Sequence, residues 1–443
     1  MLDIKLIREN PHKVKAGIAS KGADSALVDK ILKADEERRK LQVQLDTIKA
    51  EKNKLGKEIN TLSAEERDAR IAALRAEDAK ADTLEEEYVK VEEELQNLLL
   101  QTPNLPDDDV PVGPGESANV VIRTVGEPAK LNFEPADYMT LAHEMDLIDT
   151  ERASKVSGSR FCYFKGAVVM LEWAILQHTF KLLTDPDIIA KIAASIDPDL
   201  SKDPFIPAVP PVLIRREPYL KMARLDNEIY EIPKDELYLI GSAEHSLGPM
   251  HMDEIFSEKE LPRRYIGFST AFRREAGSYG KDTKGVFRVH QFDKAEMEIY
   301  TTPEMAHKEY DFVVACEEYL IQSLNLPYRV LFKGTGDIGG PNARGIDMEI
   351  YLPSEKRYRE THSADYMADY QSRRLNIRVR RSDGSLEFVH MIDATAFAMG
   401  RTILMIIENY QQEDGSIKVP EALRPYMPLD VIRGPFGMGI RNK

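Results

Sequence analysis

At 443 residues the chain is long enough for two or three domains with at least one large core, and its 42 % hydrophobic and 30 % charged residues suit a soluble globular protein. No apolar run reaches the ~18 residues of a membrane span, Met1–Asn10 lacks the apolar core of a secretory leader, and two cysteines (Cys162, Cys316) without CxxC spacing exclude a disulfide framework or cysteine-rich zinc site, so a reducing cytoplasm is expected. A net charge of −15 argues against a basic coat for nucleic acid but leaves room for a local basic stripe.

The first predicted element is a pair of helices. Leu41, Leu45, Ile48, Leu55, Ile59 and Leu62 follow steps of four and three, and Ile71, Leu74, Ala81, Leu84, Tyr88, Val91, Leu95 and Leu98 resume the pattern. Between them, at Ser63–Arg67, the register breaks and Ser63-Ala-Glu-Glu66 reads as a capping box. The spacing predicts an antiparallel coiled-coil hairpin over about residues 28–100. Such a coil commonly serves as a dimerisation element or spacer. Residues 31–60 hold eight Lys/Arg against six Asp/Glu, whereas residues 61–100 hold five against twelve. RNA, if bound, is therefore expected on the first helix, at Lys49, Lys52, Lys54 and Lys57.

Thr102-Pro-Asn-Leu-Pro-Asp-Asp-Asp-Val-Pro-Val-Gly-Pro114 cannot continue a helix. It predicts an N-terminal domain over 1–101, a linker over 102–118 and a second domain over 119–443. In the second domain, helical stretches at 168–183, 303–323 and 395–411 mix with alternating strands at Val286–Tyr300 and Ile346–Leu352. They do not interleave as βαβ units, which predicts an α+β domain on an antiparallel sheet flanked by helices.

Gly334-Thr-Gly-Asp-Ile-Gly339 has the spacing of a dinucleotide-binding loop, but Gly340-Pro341 and another strand follow where a helix would be required. No P-loop occurs either. Phe272–Glu296 is more informative. It reads as strand, polar loop and returning strand, with Arg273 and Arg274 suited to bidentate phosphate contact and Glu296 to an ammonium group. Glu360 and Ser363 offer oxygen donors of the kind Mg²⁺ shares with nucleotide phosphates. Finally, Phe388–Arg401 leads a strand into an apolar helix. An arginine there demands an anionic partner, either a triphosphate or an internal carboxylate.

Together these segments resemble class II aminoacyl-tRNA synthetases, and specifically the seryl-tRNA synthetase family, along essentially the whole chain. Met-Leu-Asp-Ile-Lys-Leu-Ile-Arg-Glu-Asn10, the hairpin and Pro103-Asn-Leu-Pro106 are similar to the family's tRNA-binding arm. Pro210-Pro211-Val-Leu-Ile is similar to its motif 1 at the dimer interface, Phe272–Glu296 to motif 2, and Gly400-Arg401 onward to motif 3. The resemblance implies an N-terminal coiled-coil hairpin followed by a class II catalytic domain, and a homodimer without membrane association. Its activity would be seryl-adenylate formation from L-serine and ATP with Mg²⁺, then transfer to tRNA(Ser), with tRNA(Sec) a further acceptor. The alternative is a paralogue that activates another small amino acid or charges a carrier other than tRNA.

By position, Arg273, Glu296 and Arg401 are the catalytic candidates. ATP would contact Arg273, Arg274, Glu275, Val289, Glu360, Thr361, His362, Ser363 and Arg401. Serine would be held by Ser242, Ala243, Glu244, Arg273, Glu296 and Thr395, and Mg²⁺ by Glu360 and Ser363. Departures from the family pattern gather near the amino-acid and metal sites: Ser242 stands for Thr, Asp393-Ala394 for Asn-Gly, His362 for Ser or Thr, and Ala343-Arg-Gly-Ile-Asp347 for an Ala-Lys-Tyr-Asp-type run.

Overall fold

A computed structural model describes residues 1–58, 64–222, 229–275 and 285–438, and the chain divides into two units, Met1–Leu105 and Pro106–Lys443. The first unit is helical: α1 (Ile4–Glu9), α2 (Pro11–Ser20), α3 (Ala26–Glu58) and α4 (Ala64–Gln101). Asp3 caps α1 by accepting from the Lys5 N–H at 2.8 Å, and Pro11 opens α2 where no N–H is needed. Ile7, Val14 and Ile18 are buried, as are Val28 and Ile31 at the start of α3.

Here too Asp35 is sealed from solvent and meets Arg8 at 2.6 Å, Arg39 at 3.1 Å and Arg38 at 3.4 Å. Burial alone would raise its pKa, but the arginines outweigh it and hold the carboxyl below the usual range. Asp35→Ala strands the three guanidinium groups. It is expected to cost about 2 kcal/mol, less than the ~3–5 of a fully buried pair, because Arg8 and Arg39 keep 31 % and 54 % of their side chains in water. The urea midpoint of this unit's helical signal is the measurement.

The hairpin seam follows the predicted heptads. Leu41, Ile48 and Leu95 are buried, and Leu45, Ala81, Leu84, Tyr88, Val91 and Leu98 are half-buried. Two ion pairs cross it, Arg38–Glu92 at 3.5 Å and Lys52–Asp78, fourteen residues apart on each helix. The turn predicted at Ser63–Arg67 shifts toward the N-terminus, since Ala64–Arg67 are already helical in α4; Ser63 of the capping box, and Ile59 and Leu62 of the heptad pattern, lie outside the described residues. Of the four lysines expected to face RNA, Lys49, Lys54 and Lys57 are exposed, while Lys52 is engaged with Asp78.

The second unit is built on an eight-stranded sheet of β1 (Val120–Val125), β2 (Ile206–Ala208), β3 (Arg263–Phe272), β4 (Gln291–Thr301), β5 (Tyr328–Phe332), β6 (Arg344–Leu352), β7 (Arg357–Ala368) and β8 (His390–Ala398). The spatial order is β1-β5-β6-β7-β8-β4-β3-β2, and every pairing is antiparallel except β2 with β3. Helices α5 (Ala167–Leu183), α6 (Ala306–Ser323) and α7 (Met399–Asn409) share one apolar core with the sheet, where Phe312, Val313 and Ile403 meet Met297, Ile299 and Phe397.

Two predicted boundaries shift. The strand expected from Val286 begins at Gln291, although Val286, Phe287 and Val289 are still buried. The helix expected from Thr395 begins at Met399, because Thr395–Ala398 close β8. Met391–Phe397 is buried on both faces, and such a strand lacks the alternation that separates it from a buried helix. Gly334 and Gly336 of the Gly334–Gly339 run serve close packing, and the run does not open a nucleotide-binding helix. A Cβ at Gly336 would stand 2.2 Å from the Gly115 nitrogen, and the Gly336 N–H donates to the Gly113 carbonyl at 3.0 Å.

Candidate active site

Alternate positions of β4 (Phe292, Lys294, Glu296), with side chains of β7 and β8, the start of α7 and residues 286–289, line one cavity of about 230 Å³. Of the residues singled out from sequence, Glu244, Arg273, Glu275, Val289, Glu296, Glu360, Thr361, Ser363, Thr395 and Arg401 all line it. The fold therefore gathers into one space side chains spread over some 160 positions of sequence.

Glu360 and Ser363 are three residues apart, and on a regular strand that odd spacing would put them on opposite faces. A β-bulge resolves this. Ser363 opposes Asp347 and His362 opposes Met348, but the next pair is Glu360 with Glu349, so Thr361 is the extra residue. His362 turns to the core side as a result. It lies 5.1 Å from the Phe397 ring, its Nδ1 is 2.8 Å from Thr361 Oγ1, and burial pushes the imidazole down to about 3. Of the run expected to contact ATP, Glu360, Thr361 and Ser363 line the cavity, whereas the His362 side chain is buried on the core side.

Three further candidates stand off the cavity wall. Arg274 is exposed, Ala243 belongs to a neighbouring apolar cluster, and Ser242 is buried beneath the floor. Ser242 Oγ donates to Glu296 at 3.0 Å and accepts from Lys294 at 3.2 Å, so its hydroxyl orients a cavity carboxylate.

At one end of the cavity Arg273 lies 5.4 Å from the Phe292 ring and donates its Nε–H to the Gly241 carbonyl at 2.9 Å. Glu275, in the left-handed region at φ 52°, accepts from Arg288 at 2.9 Å. Arg401, two residues into α7, donates to the Glu360 carboxylate at 2.9 Å and to its carbonyl at 3.1 Å. An internal carboxylate is therefore the arginine's partner here. Burial tends to raise the Glu360 pKa, but Arg401, Lys333 and Arg273 outweigh it and hold the group below the usual range. An ionised carboxylate beside a hydroxyl is chemistry that fits Mg²⁺.

At the other end carboxyl groups gather around Lys294. Glu244, Glu296 and Asp393 each bring an oxygen within 4.8 Å of the others. Asp393 opposes Asp365 on β7 and Glu298 on β4, so three buried carboxyl groups run abreast across the sheet. Burial pushes Glu296 up to about 7, while Lys294, paired to it from two positions earlier on β4, pulls the other way.

Sequence reasoning did not single out Phe287, Lys294 or Asp365. Phe287 is flanked by guanidinium groups, Arg359 at 4.0 Å and Arg401 at 4.7 Å from its ring centre. Lys294 was within reach of the two-residue period, which sets it on the same face as Glu296.

The family model described as tRNA synthetase class II core domain (G, H, P, S and T) matches residues 228–410, and that described as Seryl-tRNA synthetase N-terminal domain matches residues 1–106. The chain is 41 % identical over 435 residues to a serine--tRNA ligase of Dictyoglomus turgidum, covering 98 % of this chain and 99 % of that protein. It superposes on a seryl-tRNA synthetase from Pyrococcus horikoshii complexed with ATP with a TM-score of 0.88 and 35 % identity, covering 98 % of this chain and all 100 % of that one. A cytoplasmic serine-tRNA ligase of Naegleria fowleri in complex with AMP matches with a TM-score of 0.83 and 30 % identity, over 98 % of this chain and 99 % of that chain.

Proposed function

Because the chain belongs to the seryl-tRNA synthetase family of class II synthetases, we propose that it activates L-serine with ATP and transfers the seryl group to tRNA(Ser), with tRNA(Sec) a further acceptor. The observation that carries this is the polarity of one cavity: Arg273 and Arg401 at one end, and Glu244, Glu296 and Thr395 at the other. Phosphates suit the first and an amino acid's ammonium the second.

In this reading Arg273 meets the α-phosphate, Arg401 the γ-phosphate and Val289 the adenine. The serine carboxylate attacks the α-phosphorus in line, an O–P bond forms, and the bond to the bridging oxygen of pyrophosphate breaks. Positioning and charge stabilisation are the protein's main contributions. Glu360 and Ser363 would hold Mg²⁺, which when bound neutralises phosphate charge. The 2′- or 3′-hydroxyl of the tRNA's terminal adenosine then attacks the seryl carbonyl, and AMP leaves. A homodimer accords with the apolar residues exposed at and just past β2, where Ile206 is 40 % and Val209 is 83 % exposed, and the cytoplasm is the compartment this reading implies.

Amino-acid-dependent pyrophosphate exchange across the twenty amino acids is the test, and preference for any other than serine overturns the reading. One observation favours such an alternative, a paralogue for another small amino acid: Asp393 adds a carboxylate at the ammonium end. The pH dependence follows from Glu296. A carboxyl titrating at about 7 is mostly protonated at about pH 6 and mostly ionised at about pH 8. Only the ionised form attracts an ammonium, so KM for serine is expected to fall about tenfold between those values, while KM for ATP changes far less.

A further inference from the structure

Beneath Ser363 lies a cluster that adenylate formation does not call for. Lys333, just past β5, is 7 % exposed. Its ammonium stands 2.8 Å from Ser363 Oγ, 2.9 Å from Asp347 Oδ1 and 3.0 Å from Asp365 Oδ1. The contact to Ser363 is a hydrogen bond, and those to the two aspartates are ion pairs.

Space for its stem comes from Gly345 on β6. A Cβ there would stand 2.3 Å from Lys333 Cε and 2.9 Å from Asp365 Oδ1. Gly345 opposes Asp365 in the ladder and sits in ordinary extended backbone, so what it provides is room for a neighbour. Two carboxylates and a hydroxyl, from Asp347, Asp365 and Ser363, are oxygen donors of the kind a hard divalent cation takes. An ammonium sits on them.

We propose that Lys333 is a resident cation of the active site, a positioning residue that fixes Ser363 between Asp347 and Asp365 and keeps this corner from recruiting a divalent ion of its own. Metal then enters through Glu360 and Ser363 only together with nucleotide phosphates. The inference rests on the reading of those two residues as metal donors.

The experiment is a titration of the full chain with Mn²⁺, free ion being followed by electron paramagnetic resonance, without nucleotide and with ATP. Without nucleotide, Lys333→Met is expected to bind Mn²⁺ at least about tenfold more tightly than the wild type, because two buried carboxylates lose their counter-ion. Gly345→Ala, which displaces the lysine by overlap, should move in the same direction. A double variant, Lys333→Met with Asp365→Asn, should return towards the wild type because it restores the charge balance. Merely structural damage would not tighten metal binding. Equal nucleotide-free affinity in the wild type, a folded Lys333→Met and Gly345→Ala overturns the proposal; should Lys333→Met not fold, Gly345→Ala against the wild type decides. The ATP arm tests the donor reading separately: a wild type that takes up no Mn²⁺ with ATP sinks the roles of Glu360 and Ser363, and the nucleotide-free comparison still decides on Lys333.

Discussion

Arg273→Ala is expected to lower serine-dependent pyrophosphate exchange about 1000-fold, with kcat falling more than KM for ATP rises. Losing one donor aimed at transition-state charge typically costs ~10²–10³ in rate, and Arg273 stands at the upper end because it has a second task. Its Nε–H holds the Gly241 carbonyl at 2.9 Å, at the start of the segment whose Ser242 supports Glu296. The guanidinium fork has further donors for a phosphate. One substitution therefore disturbs both ends of the cavity. Arg273→Lys should recover only a small part of the loss, since an ammonium cannot serve the carbonyl and a phosphate in one planar geometry. Exchange within tenfold of the wild type would remove Arg273 from the phosphate site.

Shortening the hairpin should separate the two half-reactions. Joining Gln42 to Glu87 through a short glycine-rich turn keeps Asp35 with its arginines and the Arg38–Glu92 pair, and removes Lys49, Lys52, Lys54 and Lys57. Aminoacylation of tRNA is expected to fall at least about 100-fold, while pyrophosphate exchange stays within about twofold. The intact protein's aminoacylation should also weaken as salt rises, because phosphate contacts release counterions. Retained aminoacylation after the excision would make the hairpin a spacer.

The hairpin was legible in the sequence because a seam repeating every seven residues has few other solutions, and the buried or half-buried Leu41, Ile48, Leu84 and Leu95 fall on it. The antiparallel sheet was legible for a similar reason, from alternation and the lack of βαβ order. Boundaries failed where a strand is buried on both faces, as at Thr395–Ala398, or where apolar residues face inward from irregular backbone, as at Val286–Val289.

The candidate site was legible as a set of residues but not as a geometry. Nothing in Glu360-Thr-His-Ser363 announces a bulge, so linear order does not separate His362 from its cavity-facing neighbours. The bulge is a property of pairing with β6, which linear order does not display. Lys333 lay hidden for a related reason. Its partners Asp347, Ser363 and Asp365 come from two other strands, and a lone lysine beside a glycine-rich run reads as surface.

Gly345 also couples two positions that lie twelve residues apart in the chain. A methyl group at 345 would stand 2.3 Å from Lys333 Cε, so the lysine keeps its present path only while 345 carries no side chain. Without the lysine, glycine at 345 would leave an unfilled space. The two residues therefore make one unit, and the effect of a change at either depends on which residue stands at the other.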